Sequence, residues 1–231
     1  MNKTQVMKQL KAMGTAQNRK VYARHGLTGS MFGVSYANLG ALRKQIKIDQ
    51  KLAEQLWATG NHDARALAVM VADPSQMTAR KLDAWAADAG NRGAAAALSN
   101  LAALAPTAHA RVAKWTRSRN EWISCAGWHT LASLARDDES LGDAAIDPYL
   151  MRIEAEIHEA KNYTRYAMNN ALISIGISRA NLRKKVLAAA KRIGVVEVDH
   201  GPTSCKTPDA VPYIKKAVAR QANKTAGARR K

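Results

Sequence analysis

Trp122, Cys125 and His129 fall at i, i+3 and i+7 of one helical pattern, so an indole, a thiol and an imidazole stand on one face. Such a face can wall a sugar or a base, and ordinary packing is the other reading of a lone Trp at helical spacing. Glu154 and His158, four residues apart, offer two metal ligands without an evident third, so a surface ion pair is expected and no metal. "VDHGPTSC" brings Asp199, His200, Ser204 and Cys205 together in sequence, but adjacent Asp and His cannot form the usual proton relay. That segment reads as a turn-rich C-terminal stretch, and "GVVEV" before it is too short to establish a sheet. "GLTGSMFGVS" lacks the lysine and spacing of a phosphate-binding loop; it is expected to join two helices and place Tyr22 and Phe32 near the first repeat. Cys125 and Cys205 are expected as free thiols, and no cofactor is expected.

Elements must position these groups, and composition says which kind. Of 231 residues 47% are hydrophobic, largely alanine, with a single Phe and no alternating β-branched runs, so an all-α fold is expected. The N-terminal "MNKTQVMKQLKAM" is too polar for a signal peptide, and the Ala-rich stretch 93–105 is too short for a membrane span, so a cytoplasmic protein without a membrane partner is expected. The 36 Lys and Arg against 18 Asp and Glu give a formal charge of +18, which favours nucleic acid as partner. Arg43, Lys44 and Lys47 belong to the basic residues spread through the folded part. "KKAVARQANKTAGARRK" reads as an uncapped basic end, so the expected organisation is one domain over 1–213 and a flexible tail over 214–231.

Four segments begin with Asn and run into an apolar helix: "NHDARALAVMVAD" from Asn61, "NRGAAAALSNLAAL" from Asn91, "NEWISCAGWHTLASLARDD" from Asn120 and "NYTRYAMNNALISIGIS" from Asn162. Asn is a strong N-cap, and Ala66, Ala96, Ala126 and Ala167 let neighbouring helices approach closely. Second helical patterns lie between them, such as "TARKLDAWAADA", "TAHARVAKWTRS" and "IDPYLMRIEAEIHEA". Paired helices recurring this way predict an α-solenoid of HEAT-like repeats. Arg65 and Arg165 occur early in repeat helices at comparable offsets, which makes them phosphate-contact candidates; an inter-repeat salt bridge is the alternative.

"NRKVYARHGLTGSMFGVSYANLGALRKQIK", "LWATGNHDARALAVMVAD", "WTRSRNEWISCAGWHTLASLA", "AKNYTRYAMNNALISIG" and "GVVEVDHGPTSCKTPDA", in this order, resemble the DNA alkylation repair proteins, HEAT-like-repeat glycosylases that remove alkylated purines. The resemblance implies an aromatic and an Asp in one helix and an Arg in the next around the lesion's sugar and phosphate. A carboxylate there would stabilise the oxocarbenium character that develops as a cationic N3- or N7-alkylpurine leaves. In this chain the implied positions hold Arg92, Ala96 and Cys125, and Asn170 stands where a later Trp is implied. Asp63 and Glu121, at neighbouring helix starts, are the substitute carboxylates to weigh, and Asp88 sits in a different turn.

The implied function is a monomeric binder of double-stranded DNA, alkylated or branched, with Tyr22 and Trp122 lining the lesion site and Arg65, Arg165, Arg43, Lys44 and Lys47 on phosphates. Excision of alkylpurines is expected to be weak or absent. The alternatives are a non-catalytic binder of DNA structures and a scaffold for acidic protein partners.

Overall fold

Asn61, Asn91 and Asn120 each accept a backbone N–H from the first turn that follows, from Ala64 at 3.1 Å, Ala94 at 2.9 Å, and both Trp122 and Ile123 at 2.9 and 3.2 Å. Three of the four expected caps therefore form, each satisfying donors that a helix start leaves without partners. The fourth does not. Asn162 is the first helical residue, and the Glu121 carboxylate caps this helix from its neighbour by accepting the Tyr163 N–H at 2.7 Å.

The computed structural model describes residues 1–228, in which thirteen α-helices and one 3₁₀ turn occur and no strand. They are α1 (Lys3–Met13), α2 (Ala16–Arg24), α3 (Tyr36–Ile46), α4 (Gln50–Trp57), α5 (His62–Val71), α6 (Ala79–Asp88), α7 (Arg92–Ala103), α8 (Ala108–Trp115), α9 (Glu121–Asp137), α10 (Asp143–Glu156), α11 (Asn162–Ser178), α12 (Arg183–Ile193) and α13 (Ala210–Ala228). Contacts run α3 to α5, α5 to α7, α7 to α9, α9 to α11 and α11 to α13, while α4, α6, α8, α10 and α12 each pack on the odd-numbered helix that follows. The result is two rows of helices, the repeat architecture that the Asn-led segments predict. Among the described residues no helix is long and apolar enough to cross a membrane.

Small side chains set the spacing between the rows. A Cβ on Gly127 of α9 would stand 2.6 Å from the Thr116 nitrogen at the end of α8, so only glycine permits this approach. Ala66, Ala126 and Ala167 are buried between helices, whereas Ala96 of α7 is only half-buried. Trp115 and Trp128 fill the larger gaps and are both fully buried, a contribution on the order of 5 kcal/mol each from area alone.

The expected boundary after residue 213 falls inside α13. Ile214 is buried and lies against Gly176 of α11, where an added Cβ would be 2.7 Å from its Cδ1. Ala210, Ile214 and Val218 form an i, i+4, i+8 stripe that docks on the core, and the surrounding Lys and Arg obscured it in the sequence. Residues 229–231 of the expected tail lie outside the described residues.

Candidate nucleic-acid groove

A groove of about 730 Å³ is lined at once by residues of α3, α5, α7, α9 and α11, which requires the odd-numbered row to curve around it. Arg43 of α3, Arg92 and Ala96 of α7, His129 of α9 and Tyr166 and Asn170 of α11 all reach it, and no Asp or Glu is among its lining residues.

Arg92 opens α7 directly after the Asn91 cap, which directs its guanidinium across the row to α11. There Tyr163 and Tyr166, three apart and so on one helix face, receive it with ring centroids 5.5 and 5.4 Å from the guanidinium carbon. Trp122 tilts against Tyr163 at 5.5 Å, and His200 meets Tyr166 edge-on at 5.4 Å. Trp122, Tyr163, Arg92, Tyr166 and His200 thus form a ladder beside the groove. Trp122 is part of this ladder rather than of the groove lining. The i, i+3 tyrosines in "NYTRY" were the sequence signal for it.

The positive charge of Arg92 is felt by its neighbours. Burial, reinforced by that charge, pushes the His129 imidazole down to about 4, so it is neutral near pH 7. Burial and the Glu121 carboxylate push the Cys125 thiol up to about 12, with Arg92 opposing, so Cys125 is neither a thiolate nucleophile nor a groove residue. Ala96, at the implied acid position, does face the groove.

The other carboxylates are committed elsewhere. Asp63 is fully buried and accepts the backbone N–H groups of Phe32, Gly33 and Val34 at 2.6, 3.1 and 2.8 Å, fixing the connection between α2 and α3 as that loop reading anticipated. Asp88 accepts from the Trp57 indole at 3.3 Å and pairs with Arg65. Glu121 is the α11 cap.

Arg65 and Arg165 are placed differently from expectation. Arg65 donates to the carbonyls of Trp57 and Asp88 at 3.2 and 2.9 Å and covers the Trp57 ring at 5.0 Å. Arg165 donates to the carbonyls of Glu197, His158 and Ala160. Helix ends leave carbonyls without intrahelical donors, and these guanidinium groups satisfy them at the ends of α4, α6 and α10. Their common offset from Asn marks a structural clamp between repeats. Arg43, Lys44 and Lys47, by contrast, are exposed and make no side-chain hydrogen bond or ion pair among the described residues.

Tyr22 is also displaced from the expected lining. Its hydroxyl donates to the Val34 carbonyl at 2.5 Å and its ring meets His62, while Tyr36, half-exposed at the start of α3, takes the place on the groove. Glu154 pairs with Arg192 and His158 donates to the Ile193 carbonyl, and no group of metal-binding residues occurs among the described residues. Both cysteines are free, as anticipated. His200 bonds Thr207 rather than a nucleophile, and Asp199 accepts the Gly201 N–H, so "VDHGPTSC" forms no triad.

Paired helices in two rows, with a basic groove along the curved one, define a HEAT-like repeat protein. The family model described as DNA alkylation repair enzyme matches residues 6–214, and the chain belongs to that family. It is 27% identical over 215 residues to the uncharacterized protein Lin0241 of Listeria innocua and 26% identical to Lmo0209 of Listeria monocytogenes, each alignment covering 90% of this chain and 94% of the relative. A solved structure described as "a new family of proteins related to the HEAT-like repeat DNA glycosylases with affinity for branched DNA structures" superposes with a TM-score of 0.88 at 31% identity, covering 96% of this chain and 95% of the other.

Proposed function

We propose that this protein binds branched and duplex DNA along the groove without excising bases. The observation that carries this reading is the lining itself: cations, tyrosines and a neutral imidazole, with no carboxylate where an N-glycosidic bond would need one. The affinity for branched DNA described for the structural relative supports the substrate class. Arg43, Lys44 and Lys47 hold phosphates as free cations, and Arg92 stands ready at the deeper wall.

The test has two arms. Labelled four-way junction and matched duplex are titrated by anisotropy, and methylated DNA is assayed for free 3-methyladenine and 7-methylguanine. Binding without base release is expected for the natural protein. Robust release by the natural protein would overturn the non-catalytic reading, and absence of binding at low salt would overturn the DNA reading. Ala96→Asp is the informative gain-of-function variant because position 96 faces the groove. Cys125→Arg is not, since it places an unpaired charge in the core.

A further inference from the structure

Three large apolar side chains stand exposed on one wall of the groove: Tyr36 at 51%, Ile48 at 56% and Leu104 at 72% of their surface. Singly such residues need no explanation, but three around one groove mark an interaction surface. Met70 continues the wall at depth, and the unpaired Arg43 lies on the same groove, with Lys44 and Lys47 on the same last turn of α3. At the floor the His129 Nε2 is buried without a hydrogen-bond partner.

We propose that this apolar wall seats a single unstacked nucleobase, of the kind exposed at a branch point or bulge, with its flanking phosphates on Arg43 and Lys47. The inference rests on the DNA-binding reading and deepens it by naming the feature of branched DNA that is recognised. An intact duplex offers only sugar, phosphate and groove edges to such a wall. An unpaired base offers an apolar face for Tyr36, Ile48 and Leu104 and an edge of donors and acceptors for His129. An acidic amphipathic peptide matches the wall and the cations, but its apolar side chains leave the His129 nitrogen unsatisfied, which is costly in a buried position. The small residues Ala66, Gly93 and Ala96 leave room above that nitrogen for a planar ring.

The experiment compares a continuous labelled duplex with the same duplex carrying one unpaired 2-aminopurine, using the full chain. The natural protein is expected to bind the bulged DNA roughly tenfold more tightly, as stacking of one base on an aromatic and apolar platform provides. Binding should also change the 2-aminopurine fluorescence. Ile48→Ser with Leu104→Ser, and separately Tyr36→Ala, should bring the affinity ratio towards one while duplex affinity and melting temperature stay put, because all three side chains are exposed. A ratio of one for the natural protein, or a ratio retained in both variants, would overturn the seat while leaving DNA binding intact. Displacement of bound peptide but no preference for the bulge would assign the wall to a protein partner and overturn it equally. If neither DNA binds, the DNA-binding reading fails and this inference falls with it.

Discussion

His129 shows how one charge on a neighbouring helix sets the state of a side chain. Its pKa is depressed to about 4 first by burial and then by Arg92, so the folded protein keeps it neutral while the unfolded chain would protonate it near its ordinary value of 6.5. In that window the unfolded state binds more protons, so stability is full above about pH 6.5 and falls as the pH drops towards 4. The loss attributable to this group is up to about 3 kcal/mol. His200, depressed for the same two reasons, adds to the trend in the same direction. Thermal unfolding from pH 4 to 7 should therefore show a steep acid limb that His129→Gln makes shallower, and an unchanged limb would refute the assignment. The residues of this site were only partly legible in the sequence. Arg92 and Ala96 could be placed by position after Asn91, because a helix start fixes direction. That Arg65 and Arg165 bond carbonyls while Arg43 bonds nothing depends on which helix ends come near, and no local pattern encodes that.

At the scale of elements, the connection from α12 to α13 departs from the repeat. Asn162, freed from capping by Glu121, donates to the Asp199 carbonyl at 2.7 Å and accepts the Asp199 N–H at 2.8 Å. Two residues on, a Cβ at Gly201 would be 3.5 Å from the Arg24 carbonyl at the end of α2, so this extended segment runs back to the N-terminal helices. It also places His200 at the end of the aromatic ladder. Asn162 thus acts as a peg for the segment, and because its bonds are exposed the peg contributes about 1 kcal/mol. Asn162→Ala should speed hydrogen exchange of the Asp199 amide and its neighbours, while α11 amides, capped by Glu121, exchange as before. Faster exchange throughout α11 would show instead that Asn162 supports the helix itself. The odd-numbered helices were readable from caps and apolar period. This segment was not, since its order comes from distant partners, and α13 was missed because its apolar stripe is embedded among lysines and arginines.

For the molecule as a whole, the charge of +18 is less informative than its division into committed and free cations. Arg65, Arg111, Arg152, Arg165, Arg179 and Arg192 bond carbonyls or carboxylates within the fold and hold repeats together. Arg43, Lys44 and Lys47 contribute field without such bonds. Lys47 does so from a left-handed backbone, φ +64°, at the C-terminus of α3, a conformation that costs a non-glycine residue on the order of 1 kcal/mol or more. A lysine kept at a position suited to glycine gives up stability for a charge beside the groove. Two substitutions should then have opposite signatures. Lys47→Gly should raise the melting temperature, weaken DNA binding for all sequences alike, and flatten the plot of log affinity against log salt by about one, as loss of one phosphate contact does. Arg65→Ala should lower the melting temperature and leave that slope unchanged, because its donors are held by Trp57 and Asp88. Anisotropy titrations of one labelled duplex from low to moderate salt, paired with thermal unfolding, read both quantities. A slope that falls with Arg65→Ala and not with Lys47→Gly would reverse the division and put the DNA on the face where α4, α5 and α6 meet.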